Sequence, residues 1–256
     1  MDFGLKGKVA LVTGGARGIG RADCLALSRE GAKIVVFDLL ADEAEKTVGE
    51  IAEGGGEAGA FQVDISDGAA VSDAVKEAAG RFGSIDILIN NAAICDTLEV
   101  FTRFDDRIWR RDLEVNLTGA YNVTKAVFPL MKKKRWGRIV SMSSIVGMQG
   151  GFAQASYTTT KMGLIGLART LAIEGARYNI TSNVIAPGII GSEIFLSKVS
   201  DAMKDQVRRR TLFGREGEVW DVANAIAFLC SEQAKYITGV VLPVMGGLDL
   251  FTVLPE

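Results

Sequence analysis

The sequence predicts one doubly wound α/β domain, with a parallel sheet of about seven strands and helices on both faces. Short β-rich apolar runs alternate with longer stretches of helical periodicity along the whole chain, the order that builds βαβ units. No linker, repeat or low-complexity segment interrupts the 256 residues, so a single unit over 1–256 is the simplest division. A composition 48% hydrophobic and 23% charged supports a sizeable core, and four prolines suit long uninterrupted elements.

Taken in order, residues 9–12, 34–37, 59–63, 85–89, 138–142 and 181–186 are runs of strand length, with 240–244 as the last strand. Helical periodicity covers about 18–30, 42–52, 69–81, 105–134, 155–177 and 218–231. Gly54-Gly55-Gly56 is a turn after a helix. Such sheets bind ligands outside the carboxyl ends of their strands. Thr13–Gly20, Asp38, Asp64, residues 90–93, Ser144 and residues 187–192 all follow strands, and the chemistry is expected there.

Bulk properties exclude several classes. A net charge of −2 gives no electrostatic reason to expect nucleic acid. No apolar run approaches the roughly 20 residues needed to span a bilayer. The chain enters a strand almost at once, so no signal peptide is expected. Cys24, Cys95 and Cys230 are odd in number and lack metal-type spacing, which reads as reduced thiols in a cytoplasmic protein. Cys95 follows a strand end, where it can line a pocket.

The chain has no histidine. That excludes Ser-His-Asp hydrolysis and His-ligated zinc, and no metal site is expected. A tyrosine can serve as acid and base instead if a fixed cation stabilises its phenolate. Tyr157 and Lys161 are four residues apart, so on a helix they share one face, and Ser144 lies thirteen residues upstream of the tyrosine.

The turn Thr13-Gly14-Gly15-Ala16-Arg17-Gly18-Ile19-Gly20 joins the first strand to the first helix. Its glycines let backbone approach a pyrophosphate, and the helix N-terminus offers free N–H groups. Asp38 ends the second strand 18 residues after Gly20, where the Rossmann fingerprint places an acid that bonds the ribose 2′-hydroxyl. A carboxylate there repels a 2′-phosphate, so NAD(H) is expected over NADP(H). Arg17 acts in the opposite sense, because a guanidinium in this turn can meet that phosphate.

At this point the chain resembles the short-chain dehydrogenase/reductase family over nearly its whole length. The features are T-G-x-x-x-G-I-G at 13–20, Asp64, N-N-A-A at 90–93, Asn116, Ser144, Tyr157-x-x-x-Lys161 and Pro187-Gly188. The resemblance is to the branch holding 3-oxoacyl-carrier-protein reductases and NAD-dependent alcohol and hydroxysteroid dehydrogenases. It implies that Tyr157 donates a proton to a carbonyl oxygen in reduction and removes it from an alcohol in oxidation. Lys161 would lower the tyrosine pKa and bond the nicotinamide ribose, Ser144 would hold the substrate oxygen, and Asn116 would position a water linking the lysine to solvent. By position alone, Asn116 reads instead as a helix asparagine bonding its own backbone. Asp64 and Ile65 would meet the adenine, Asn91 the adenosine half, and Ile190 and Ser192 the nicotinamide carboxamide after the Pro187-Gly188 turn.

Three positions depart from the family pattern. Ala93 stands where glycine is frequent, Ser192 where threonine is common, and Val244-Met245-Gly246-Gly247 lacks an aspartate frequent near the family's C-terminus. The family's substrate pocket maps here to Ile94, Cys95, Val146, Phe152, Gln154, Ile194, Phe195 and Leu196. This mainly apolar lining suits a hydrophobic secondary alcohol or ketone. Lys132-Lys133-Lys134-Arg135 matches a helix dipole, or else a docking site for an acidic carrier protein, as in the oxoacyl reductases. Those enzymes usually use NADPH, against which Asp38 argues. A non-catalytic NAD-binding interaction protein is the remaining alternative. The resemblance and the apolar faces of the long helices, with Val123, Val127, Leu130, Leu164, Leu167 and Leu171, imply a homotetramer, and 248–256 would join its interface.

Overall fold

Along the first strand the side chains alternate between two cores. Val9 and Leu11 pack on one side of the sheet, Ala10 and Val12 on the other, as the twofold period of a strand requires. The computed structural model describes residues 2–193 and 201–248. Within them the strands are β1 (Val9–Thr13), β2 (Lys33–Asp38), β3 (Ala58–Gln62), β4 (Ile87–Asn90), β5 (Gly137–Met142), β6 (Ile180–Pro187) and β7 (Val241–Val244). They form one sheet in the order β3-β2-β1-β4-β5-β6-β7, every pairing parallel. The doubly wound, Rossmann-like architecture is the one expected. Leu11 lies opposite Val35 on one side and Leu88 on the other. The strand order reverses between β1 and β4, and that switch point opens the crevice where such sheets bind ligands.

Helices α1 (Gly18–Arg29), α2 (Ala41–Glu53), α3 (Gly68–Phe82), α4 (Asp106–Leu113), α5 (Gly119–Lys134), α6 (Ile145–Gln149), α7 (Ala155–Gly175), α8 (Asp201–Arg210) and α9 (Val219–Cys230) connect the strands. One core layer joins Cys24 and Leu27 of α1 to Val222 and Ile226 of α9. The other joins Val71 and Val75 of α3 to Val123 and Val127 of α5. The ends have local causes. Asp67 caps α3 by accepting from the Ala69 and Ala70 N–H groups at 2.9 and 3.0 Å, and Gly83, at φ 84°, closes it.

The structure departs from the expected elements in several places, the short helix α6 among them. The helix anticipated over 105–134 is two helices joined by a π turn, Glu114–Thr118. Apolar periodicity does not register a single extra residue per turn. Ile85 and Asp86 precede β4, although the Asp86 backbone already bonds Val9 and Arg138; its buried carboxylate also accepts from the Val9 N–H at 3.0 Å and pairs with Lys134 at 2.5 Å. Helix α8 is polar and carries no apolar stripe to announce it. The anticipated pocket residues Ile194, Phe195 and Leu196, and the tail 249–256, lie outside the described residues.

Strand β7 forms an edge. Val184 and Gly188 N–H groups donate to Val240 and Val244 carbonyls, both at 2.9 Å, so the even-numbered residues face β6. The odd-numbered residues, Pro243 among them, face outward.

Asp23 of α1 is wholly buried, and neither carboxyl oxygen has a hydrogen-bond partner. Desolvation raises its pKa well above 3.8. Stability associated with the protonated acid is full below about 3.8 and is lost as pH rises through the raised folded value. Asp23→Ala is therefore expected to stabilise the protein at pH 7 by about 1–3 kcal/mol. Urea unfolding at pH 7 and pH 4 measures this; the gain should shrink at the lower pH, and a destabilised variant would contradict the assignment.

Candidate active site

The glycine turn is held by hydrogen bonds that a side chain would break. Gly14 and Gly18 adopt φ of +67° and +58°, and a Cβ on Gly20 would lie 2.1 Å from the Gly14 carbonyl oxygen. The Asn91 amide donates to the Thr13 and Gly14 carbonyls at 3.0 and 3.1 Å. Thr13 Oγ1 in turn accepts from the Asn91 and Ala92 N–H groups at 3.0 and 3.1 Å. Asn91, expected against the adenosine, thus acts on its amide side as a strut for the turn. That role escaped the sequence, where Asn91 and Thr13 are 78 residues apart.

Helix α1 begins after Arg17, which is extended and makes no side-chain cap, so the first-turn N–H groups, including those of Gly18, Ile19 and Gly20, have no side-chain acceptor from the cap. The turn fits a dinucleotide pyrophosphate: close backbone approach and a helix N-terminus coincide. Asp38 stands at its rim, one oxygen accepting from Ala16 N–H and the other from Leu40 N–H, each at 3.0 Å. Remaining lone pairs can take ribose hydroxyls. Arg17 is exposed nearby. Asp64 is exposed after β3 and holds the Ser66 N–H and hydroxyl, while buried Ile65 packs against Gly119.

Beyond β6, the Gly188 N–H bonds the Val244 carbonyl, and a Cβ on Gly188 would meet Met245 at 2.6 Å. Ile190 is buried and bridges to Gly217. Ser192 lies beside the glycine turn, its Cβ 3.9 Å from the point where a Cβ on Gly18 would stand. Residues from both ends of the crevice therefore meet across it.

The candidate reacting groups converge from β5, α6 and α7. Lys161 is buried, and its ammonium donates to the Met142 carbonyl at 2.7 Å. It lies 5.4 Å from the centroid of the Tyr157 ring. Ser143, absent from the anticipated set, donates to the Lys161 carbonyl at 2.7 Å and fastens α7 to the end of β5. Its adjacency to Ser144 is the signal that could have marked it. Ser144 begins α6, its hydroxyl accepting from the Val146 N–H at 3.4 Å, and lies close enough to the Tyr157 phenol to influence its titration.

Burial dominates the titration of both members. It raises Tyr157 above its ordinary value, with a negative charge on Cys95 adding to the rise and the nearby Ser144 hydroxyl opposing it. It lowers Lys161 to about 8, which the Cys95 charge opposes. The lowering of the tyrosine expected from its lysine neighbour does not prevail within the protein matrix.

Asn116 sits in the π turn, where such bulges often serve sites. Its side chain accepts from the Ile94 N–H at 2.8 Å and donates to the Ile94 carbonyl at 2.9 Å. It bonds across to the loop after β4 and not to its own helix backbone. On the substrate side, Gln154 donates to the Cys95 sulfur at 3.7 Å, Val146 is half-buried, and Phe152 and Ala93 are exposed. Ala153 holds a φ of 60°, an uncommon conformation for alanine at the edge of a site.

A parallel seven-stranded sheet with this crevice and these side chains defines a nicotinamide-dependent oxidoreductase, and the chain belongs to the short-chain dehydrogenase/reductase family. A family model described as enoyl-(acyl carrier protein) reductase matches residues 14–249. The chain is 42% identical over 242 residues to a 3-oxoacyl-(acyl-carrier-protein) reductase of Staphylococcus epidermidis, covering 94% of this chain and 98% of that one. Among solved structures, it is similar to an NAD+-bound xylitol dehydrogenase, with a TM-score of 0.91, 32% identity, and coverage of 95% and 99%. A levodione reductase gives a TM-score of 0.91 at 30% identity, covering 95% and 98%. Among the described residues no helix is long and apolar enough to cross a membrane.

Proposed function

We propose that the protein interconverts a secondary alcohol and its ketone, with Tyr157 as the acid and base at the substrate oxygen. The observation carrying this is the meeting of Tyr157, Ser144 and buried Lys161 in a chain that also carries a glycine cradle and no histidine. Gly14, Gly18, Ile19 and Gly20 would hold the pyrophosphate, Asp38 the adenosine ribose, Asp64 and Ile65 the adenine. Pro187, Gly188, Ile190 and Ser192 would hold the nicotinamide end. The bound nicotinamide supplies or accepts the hydride, and its oxidised ring adds positive charge that favours a phenolate.

Ser144 would fix the substrate oxygen within reach of the phenol. Lys161 would bond the ribose and keep a cation beside the phenol, with Met142 holding its Nζ in place. Asn116 would hold the loop after β4 in register with α7. Val146 and Gln154 would border the substrate. Homotetrameric assembly is part of this reading, supported by exposed Tyr121, Met162 and Ile173 on α5 and α7. So is a cytoplasmic location, in keeping with three free thiols.

For the substrate we place first a 3-oxoacyl group on a carrier, the reaction printed in the name of the S. epidermidis relative. Free alcohols or cyclic ketones with NAD(H) are the second reading, favoured by the fixed Asp38 carboxylate. Initial rates for 3-oxoacyl thioesters and cyclic ketones, each with NADH and NADPH, separate the two. Thioesters should give the higher kcat/KM, and the reverse order transfers the protein to the second reading. NADH should exceed NADPH by about tenfold or more, the discrimination of one like-charge contact of about 1.4 kcal/mol. Equal or reversed preference would mean that Arg17 outweighs Asp38.

A further inference from the structure

We propose that Asp112 is a positioning residue for Tyr157, acting through Ser156, and that Arg111 ties this pair to the pocket turn at Asp96. The inference rests on the reading of Tyr157 as the acid and base. Asp112 lies near the end of α4, only 3% exposed, where α4 meets α7. One of its oxygens accepts from the Ser156 hydroxyl at 2.5 Å. The other accepts from Arg111 Nε and Nη2 at 3.2 and 2.9 Å. The same Nη2 donates to Asp96 at 2.5 Å, and Asp96 follows Cys95 in the turn that borders the substrate.

Ser156 is itself 2% exposed and immediately precedes Tyr157 in the first turn of α7. That turn makes no side-chain cap at Gln154. Its placement therefore depends on anchors to other elements, and the Ser156–Asp112 bond is the charge-assisted one. A buried carboxylate is a costly anchor. An apolar pair of the same shape would pack at least as stably, because desolvating the charge offsets much of its attraction. What the carboxylate adds is direction. Its two oxygens bond in different directions, one toward the helix of the tyrosine and one toward the pocket turn.

Two further links clasp the same segments. The Glu99 N–H donates to the Ala153 carbonyl at 3.0 Å, and Asn116 holds Ile94 from the π turn. The phenol therefore sits on a helix end pinned from one side by Asp112 and from below by Ser143. Releasing the Asp112 pin lets the phenol move relative to Ser144, and proton transfer depends steeply on that separation.

The test compares Ser156→Ala, Ser156→Thr, Asp112→Asn and the Ser156→Ala/Asp112→Asn double variant. Ketone reduction gives kcat and KM, fluorescence titration gives the NADH dissociation constant, and thermal unfolding gives Tm. Ser156→Ala and Asp112→Asn should each lower kcat about tenfold while NADH affinity stays within about twofold. Ser156→Thr, which keeps the hydroxyl, should recover most of the rate. The double variant should be no slower than the worse single one, because the asparagine removes the charge from the same bond that the alanine deletes. A Ser156→Ala enzyme with parental kcat and only a lower Tm would overturn the proposal, as would fully additive losses. If Asp112→Asn fails to fold, the alanine–threonine pair at 156 decides alone. Failure of the underlying reading has a different signature, retained turnover in Tyr157→Phe.

Discussion

Tyr157→Phe should lower turnover by roughly 10²–10⁴-fold, the range that general acid–base groups contribute. The substitution removes one oxygen and leaves the ring, so packing around Ser144 and the buried Lys161 changes little. NADH affinity should therefore stay near that of the parent. The chain has no histidine to take over, and the neighbouring lysine is committed to the Met142 carbonyl. Steady-state rates beside a fluorescence titration give both quantities. Retained turnover would defeat the proposed chemistry. NADH binding by a parent protein inert toward a broad alcohol and ketone panel would instead indicate an interaction protein that kept the cofactor cradle.

Gly20→Ala should abolish dinucleotide binding. The added methyl would stand 2.1 Å from the Gly14 oxygen and 2.5 Å from the Asn91 amide nitrogen. Neither is the tip of a flexible side chain. One belongs to the turn itself, and the other is tied to Thr13 and Gly14. The turn must open, at about 1–3 kcal/mol of strain, and the N–H groups lose their aim at the pyrophosphate. Gly49→Ala is the matched control. Gly49 is exposed within α2 and a Cβ there meets nothing within 4 Å, so alanine should stabilise the helix by about 0.5–1 kcal/mol. Calorimetric titration with NADH checks the first and urea unfolding the second; unchanged affinity in Gly20→Ala would show that the turn is not the phosphate cradle.

What the sequence disclosed and what it hid follow one physical rule. The strands, the glycine turn, Asp38 and the Tyr157–Lys161 pair are local: a short run, a helical spacing or a place after a strand defines each. The π turn at Glu114–Thr118 is also local, but it shifts the helix by one residue without disturbing its apolar rhythm. That shift aims Asn116 at Ile94, a bond between residues 22 apart that spacing alone leaves undecided. Ser156 and Asp112 are 44 residues apart, and no pattern in either segment announces their bond. The substrate is least legible of all. Its walls come from separate loops whose mutual placement depends on such long-range bonds, and part of one wall lies outside the described residues.

The outward face of β7 bears on how copies of the molecule can join. A neighbouring strand laid along that margin would look for an amide hydrogen at Pro243 and find ring carbon. Continuing the sheet from one molecule into the next, the route by which exposed margins build fibres, is thus interrupted at its middle rung. Contact between copies along that margin would therefore run through side chains rather than through added strands.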